Sequence, residues 1–317
     1  MSKISFITPQ PYHAIYQNRL VYDELEKRGW KLQYNEVDET TDYIFATSNS
    51  QFKKGWELSV QYQKPLILWV ADISEQSKYD IGDYILRAWK VISICTKMQW
   101  ETIRLTGRYR VDLVRPCIDN HTIQSSLACE PISKKNQIVV VGAMHPWKKP
   151  HIPFLAWKEL PEPRPKLIYL TYGHLNEPIE GDYNKSTMAI NGLFAPQLIE
   201  EAKGYDVEFK AVGDEEKYKT IAESKLLICA DSFGGFNLPP IEAYFCNTPA
   251  LVSDAHWFSD IDSRQFKTND LLDLTEQLNV WLNLKLFMNK TDRMKQYTIE
   301  ACANRLETKF NEWDITK

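Results

Sequence analysis

The sequence lacks the features that mark secreted and membrane proteins. No apolar run approaches the ~20 residues that a membrane-spanning helix requires. The residues that follow Met1 do not form the long apolar core of a signal peptide. We therefore expect a soluble protein of the cytoplasm.

Closely spaced cysteines and a surplus of positive charge are absent as well. The six cysteines are widely spaced, without the CxxC pair of a zinc site. Several, such as Cys95 and Cys229, stand in apolar runs and are expected to be buried free thiols in a reducing compartment. His145 and His151 flank Lys148 without an acidic or cysteine partner at ligand spacing, so no metal is expected. A formal net charge of −4 weighs against binding to nucleic acid through its phosphates.

The sequence is rich, by contrast, in short apolar runs that alternate with amphipathic stretches. This alternation is typical of parallel sheets covered by helices, and 317 residues fit two such domains. A polar stretch over 120–136 is predicted to be a linker, and 294–313 one long amphipathic helix. The predicted strands cover 4–8, 31–34, 42–46, 65–70, 91–95 and 111–114, and then 137–141, 166–170, 207–212, 226–229 and 250–253.

The run from Asp231 to Ala243 combines glycines with the start of a helix. It follows a predicted buried strand, contains Gly234 and Gly235, and enters a helix at a proline pair, which suits the first helical turn. Glycines let the backbone approach a ligand, and the free N–H groups of a helix start favour an anion. Glu242, expected in the first turn, could accept hydrogen bonds from two ribose hydroxyls. These residues favour a phosphorylated, hydroxyl-rich ligand, and a plain strand–loop–helix corner is the alternative.

Residues 235–254 resemble the donor-site signature of the retaining GT4-type glycosyltransferases, roughly E-G-F-G-L-P-x-L-E-A-M-A-C-G-T-P-V-V-x-S-D. Residues 139–148 resemble the "V-G-R-L-x-x-x-K" opening of the family's second domain, and 207–226 and 92–119 resemble other family passages in the same order. The resemblance implies a GT-B fold, an α/β architecture of two Rossmann-like domains that face each other across a cleft. An acceptor domain over 1–125 and a donor domain over 130–295 are expected, with a C-terminal helix at about 296–317 packing back on the first.

The resemblance also implies roles for particular residues. Lys148 matches a lysine that contacts the donor phosphates, and Glu242 matches a glutamate that holds the donor ribose. Lys148, Glu242 and Asp72 are the candidate catalytic residues. Asp72 follows a predicted strand, where it could bind an acceptor hydroxyl; the alternative is a turn or N-cap aspartate. Tyr12 and His13, in the loop after the first strand, are further candidates for binding the acceptor. The donor site is expected to include Gly142, Lys148, Phe209, Ser232, Gly234, Gly235, Phe236, Asn237, Leu238 and Glu242.

Three positions depart from the family pattern. Gly234 stands where the family has its first glutamate, Ala143 where it has an arginine, and Ala71 where it has a histidine. The loss of the arginine matters because a lysine cannot replace it as a bidentate partner of a phosphate. Asp231, Ser232, His145 or Asp72 could fill these gaps.

The implied reaction moves a sugar from a nucleotide-diphosphate sugar, a co-substrate rather than a bound cofactor, to an acceptor hydroxyl. Retention and independence of metal are expected, with a glycan, lipid, protein or modified DNA as acceptor. The alternatives are a DNA-modifying glycosyltransferase that acts on hydroxymethylated bases, a non-catalytic nucleotide-sugar-binding GT-B protein, and an epimerase of the two-Rossmann kind.

Overall fold

The computed structural model describes residues 2–8, 13–71, 80–128, 132–142, 148–171, 195–231, 237–254, 264–283, 292–313 and 315. They belong to two compact units. The first consists of Met1–Asp119 together with Lys295–Lys317, and the second is the continuous segment Asn120–Met294. Each unit is built on a sheet of six parallel strands.

The sheet of the first unit has the strand order β2-β1-β3-β4-β5-β6. β4, one of its two central strands, is buried at every position, which explains its continuous apolar sequence Leu-Ile-Leu-Trp-Val. The elements are β1 Lys3–Ile7, α1 His13–Lys27, β2 Lys31–Tyr34, β3 Tyr43–Ala46, a 3-10 turn Asn49–Gln51, α2 Phe52–Tyr62, β4 Leu66–Val70, α3 Ile81–Arg87, β5 Lys90–Ser93, α4 Thr96–Thr106 and β6 Asp112–Leu113.

The sheet of the second unit has the order β12-β11-β10-β7-β8-β9. Its core includes Phe154, Trp157 and Leu278, all buried. The elements are α5 Asn120–Leu127, β7 Gln137–Val141, α6 His151–Lys158, β8 Lys166–Thr171, α7 Ala195–Glu201, β9 Val207–Ala211, α8 Asp214–Glu223, β10 Leu226–Cys229, α9 Leu238–Phe245, β11 Ala250–Ser253, β12 Arg264–Phe266 and α10 Leu271–Asn283.

The last described helix, α11 (Ile299–Glu312), belongs to the first unit and packs on α1. Phe310 of α11 is fully buried and contacts the rings of Trp30 and Phe45, with centroid distances of 5.1 and 6.2 Å. The first unit is therefore completed by a helix that follows the whole of the second unit in sequence.

The structure corrects two sequence-based predictions. The expected linker over 120–136 begins with α5, which buries Ile123 and packs on α8 of the second unit. The single helix expected over 294–313 is divided into a 3-10 turn, Asp292–Tyr297, and α11. Thr298 separates them, because its side-chain oxygen accepts a hydrogen bond from the Ala301 N–H (3.2 Å) and starts a new helix.

Among the described residues, every helix is too short or too polar to span a bilayer.

Candidate functional site

The chain changes direction in the second sheet between two adjacent strands. β7 lies between β8 and β10 in the sheet. From β7 the chain continues to β8 on one side, and from β10 it continues to β11 in the opposite direction. Ligands of parallel α/β sheets bind beyond the carboxyl ends of the strands at such a switch point. Gly142 directly follows β7, and Ala230 and Asp231 directly follow β10, so these residues meet at that edge.

A buried carboxylate and a lysine form the centre of this edge. The Lys148 ammonium donates a hydrogen bond to Asp231 Oδ2, and the Asn237 amide donates to the same oxygen at 2.8 Å. Asp231 is 4% exposed, whereas the Lys148 side chain is 27% exposed. Asp231 thus holds the Lys148 ammonium in place, while the lysine side chain remains partly accessible. The small pocket beside them is lined by Val140, Val141, Gly142, Lys148, Pro150, Tyr169, Ile228, Cys229, Ala230 and Asp231.

The charge state of Lys148 follows from this pairing. Burial is the largest single influence and lowers the pKa of the ammonium, but the charge and hydrogen bond of the Asp231 carboxylate, together with Cys229, raise the pKa above its ordinary value. Lys148 is therefore a permanent cation at neutral pH.

Gly142 brings the backbone to the edge of the pocket. Its φ of 151° is one that residues with a side chain rarely adopt, and in the part of the chain that the structure describes, no heavy atom beyond its chain neighbours lies within 4 Å of the place where a Cβ would stand. Its N–H donates to Leu170 O at 3.0 Å, which holds this turn against β8. At Gly142, the pocket is therefore lined by main chain without a side chain.

Phe209 contacts the pocket through another aromatic residue, Tyr169. Its ring stacks on Tyr169 with a centroid distance of 4.9 Å and an interplanar angle of 10°. Tyr169 lines the pocket and donates its hydroxyl to Pro150 O at 2.7 Å. Phe209 thus supports a ring of the pocket wall.

The helix α9 begins with the residues expected from the sequence. Asn237 is its N-cap, and Leu238, Pro239 and Pro240 form its first turn. The sequence predicted Glu242 in the first turn, but it lies in the second turn and is 1% exposed. Its Oε1 accepts hydrogen bonds from Lys217 Nζ (3.2 Å) and Tyr218 OH (3.4 Å) of α8.

Several predicted site residues cannot be placed in this way. Tyr12, Asp72, Ser232 and the segment 234–236 lie outside the described residues, and His13 is placed as the first residue of α1. Sequence reasoning missed Lys217 and Tyr169 and named Asp231 only as a possible substitute. Tyr169 offered no signal beyond an apolar strand, whereas Asp231 could have been inferred from its position after a buried strand.

Among the described residues, no group of three or more His, Cys, Asp or Glu side chains is arranged to hold an ion. An Asp-x-Asp triplet, Asp260-Ile261-Asp262, lies outside them.

The two six-stranded parallel sheets, with helices between their strands, have the α/β architecture of the GT-B fold, which solved structures similar to this chain share. No protein-family model and no curated protein matches the sequence. Solved structures do match over nearly the whole chain. HepE of Anabaena, solved in complex with UDP-glucose, is 14% identical with a TM-score of 0.71, covering 98% of this chain and 100% of that one. Sucrose-phosphate synthase of Thermosynechococcus elongatus is 15% identical with a TM-score of 0.76, covering 99% of both chains. A glycosyltransferase of Rickettsia africae is 8% identical with a TM-score of 0.69, covering 98% of both.

Proposed function

We propose that the protein is a glycosyltransferase that moves a sugar from a nucleotide-diphosphate sugar to an acceptor hydroxyl. The observation that carries this proposal is the accessible Lys148 cation, held by buried Asp231 at the switch point of the second sheet. An ammonium has three N–H donors. One is directed to Asp231, which leaves the others for the oxygens of a diphosphate.

The start of α9 adds to this charge. Its first N–H groups and helix dipole favour an anion, and Pro239 removes one N–H that would otherwise lack a partner. Bare backbone at Gly142 gives phosphate oxygens close access. A cation, a helix start and a glycine turn in the second unit could therefore bind a diphosphate together. We assign the donor site to the second unit.

The structural neighbours support the choice of donor class. HepE has been solved with UDP and with UDP-glucose, and sucrose-phosphate synthase shares its fold with this chain. Glu242 is assigned to the donor ribose, as the resemblance to GT4-type enzymes implies. Uridine nucleotides are the first donors to test.

The chemistry that we propose needs little from the protein beyond charge and position. The bond between the anomeric carbon and the diphosphate breaks, and Lys148 and the start of α9 stabilise the departing anion. The acceptor hydroxyl attacks from the same face, and its proton passes to the departing phosphate, so configuration is retained without a metal or a protein base. The products are a nucleoside diphosphate and a glycoside. Asp72, Tyr12 and His13 remain candidates for holding the acceptor.

The described cysteines Cys95, Cys117, Cys229, Cys246 and Cys302 are buried thiols. Buried thiols of this kind fit a reducing compartment, and we propose that the reaction takes place in the cytoplasm.

A thermal-shift screen of nucleotide sugars tests the proposal directly. A donor at 100 times its Kd should stabilise the native state by about 2.7 kcal/mol. For units of this size, that corresponds to a rise in Tm of about 5 to 10 °C. The matched control is the free sugar without nucleotide, which should leave Tm unchanged.

Turnover separates glycosyl transfer from its alternatives. Release of nucleoside diphosphate from a donor that shifts Tm, accelerated by a glycan, lipid, protein or hydroxymethylated DNA acceptor, would support transfer and identify the acceptor class. Tight donor binding without hydrolysis or transfer would instead favour a non-catalytic binding protein. The absence of any shift across UDP-, ADP- and GDP-sugars would contradict the proposal.

A further inference from the structure

A buried charged cluster joins α8 to α9 in the second unit. Lys217, which is 4% exposed, bonds Glu242 Oε1 at 3.2 Å and Asp214 Oδ1 at 2.8 Å. Its ammonium also lies 4.2 Å from the centre of the Tyr218 ring. Two carboxylates and an aromatic face thus surround one lysine. Of the three charged side chains, only that of Asp214 is substantially exposed.

The topology places this cluster near the proposed donor site. α8 follows β9 and α9 follows β10, and a helix after a parallel strand begins at the carboxyl edge of the sheet. Asp214 and Lys217 lie in the first turns of α8, and Glu242 lies in the second turn of α9. The cluster is therefore at the same edge as Lys148 and Asp231.

The two oxygens of Glu242 are in different situations. Oε1 is bound by Lys217 and Tyr218, whereas Oε2 is buried and has no hydrogen-bond partner among the described residues. A buried oxygen without a partner is costly, and such atoms in native structures call for an explanation. A hydroxyl of a bound ligand would supply the missing donor.

We propose that Lys217 is a positioning residue for the donor nucleotide: it occupies Oε1 of Glu242 and keeps the side chain a carboxylate, so that Oε2 is free to accept a ribose hydroxyl. This inference rests on the proposed function, since it assumes a ribonucleotide in the second unit. Lys217 itself does not touch the ligand. Its contribution is the charge and orientation of Glu242.

The electrostatics of Glu242 agree with this role. Burial raises the pKa of its carboxyl, and the Lys217 ammonium opposes that rise. The other groups that face it from α8 are Asp214, which raises the pKa, and Tyr218, which lowers it by hydrogen bonding. Of the remaining elements packed on α9, β10 brings Cys229, which is bonded to Asn237 and Asp231, and α5 brings the exposed His121. Removing Lys217 should therefore shift the titration of Glu242 to higher pH.

The test is the pH dependence of UDP binding, measured by calorimetry between pH 5.5 and 9 on the full chain. Wild-type affinity should fall only at the acidic end of this range. Lys217→Met should weaken binding at pH 6 at least tenfold and recover most of the loss by pH 9, since Glu242 then ionises without its partner. Lys217→Arg, which keeps the charge, should restore the wild-type profile in large part. Lys219→Met, on the exposed side of the same helix, is the matched control and should change nothing.

A second set of variants removes the ambiguity of a folding defect. Glu242→Gln should weaken UDP binding from neutral pH upward, should leave the affinity nearly independent of pH, and should reduce the preference for UDP over 2′,3′-dideoxy-UDP, which lacks both ribose hydroxyls. The double variant Lys217→Met/Glu242→Gln leaves no unpaired buried charge. It should bind UDP no more weakly than Glu242→Gln alone.

The outcomes separate this inference from the proposed function. If the wild type binds UDP and Lys217→Met binds it equally well, or with a loss that is the same at every pH, Lys217 does not act through Glu242 and the inference is overturned. If the wild type binds no UDP, ADP or GDP, the proposed function fails first. A pH-dependent loss in Lys217→Met together with rescue by Lys217→Arg would establish the positioning role.

Discussion

Replacement of Lys148 by alanine is expected to lower the rate of UDP release from UDP-glucose by about two to three orders of magnitude, the usual effect of removing one donor that stabilises a developing anion. The Lys148 ammonium is the accessible member of its ion pair with Asp231, at the switch point of the second sheet. Its removal withdraws positive charge from the leaving diphosphate and also exposes that diphosphate to the charge of Asp231. The rate at saturating donor reports this effect.

Lys149 provides the matched control for this prediction, because it is the next residue and carries the same charge. Lys149→Ala should retain most of the activity, since Lys149 has no part in the contact with Asp231. A loss in Lys148→Ala no greater than that in Lys149→Ala would show that general positive charge, and not this cation, is what matters.

The loss must also be separated from a loss of stability. Lys148→Ala leaves Asp231 buried with the Asn237 amide but without its cation, which should cost about 1 to 3 kcal/mol. The double variant Lys148→Met/Asp231→Asn removes both charges and should regain much of that stability, yet remain as inactive as Lys148→Ala. Recovery of activity in the double variant would assign the defect to folding.

The second large effect is expected on the stability of the first unit. Phe310→Ala should destabilise the first unit by about 3 to 5 kcal/mol, because it deletes a fully buried ring and leaves a cavity. The ring touches Trp30 after α1 and Phe45 of β3, so the loss loosens α11 from both the helix and the sheet. Calorimetry should show one transition lowered by about 10 °C, while the transition of the second unit stays in place.

Asn311→Ala is the corresponding control, since Asn311 is the exposed neighbour of Phe310 on α11. It should leave both transitions unchanged. If Phe310→Ala behaved like Asn311→Ala, α11 would not be an integral part of the first unit.

The strands were largely predictable from sequence because most are continuous apolar runs. β2, β7, β10 and β11 have the predicted bounds, and the other predicted strands differ by a residue or two at their ends. β12 was missed because Arg264–Phe266 is too short and polar to form such a run. α5 was missed because Ile123 is the one buried apolar residue within it, in a polar stretch that resembles a linker.

The candidate site was predictable where local sequence determines it. The proline start of α9 and the glycine after β7 are local features and were found. The pairs Lys148–Asp231 and Lys217–Glu242 join residues 83 and 25 positions apart, and only the folded sheet brings them together. Lys217 in particular lies in the acidic start of α8, where a lysine ordinarily reads as solvent-exposed.

The order of the chain has a consequence for synthesis on the ribosome. The second unit is continuous and can fold as soon as it emerges, but the first waits for α11, which is translated after it. At bacterial and eukaryotic elongation rates, the roughly 180 residues between Asp119 and α11 take on the order of 10 to 40 s. During that interval, Phe45 and Trp30 lack the partner that finally covers them. The nascent first unit is therefore the part of the molecule most in need of a chaperone, although its sequence is made first.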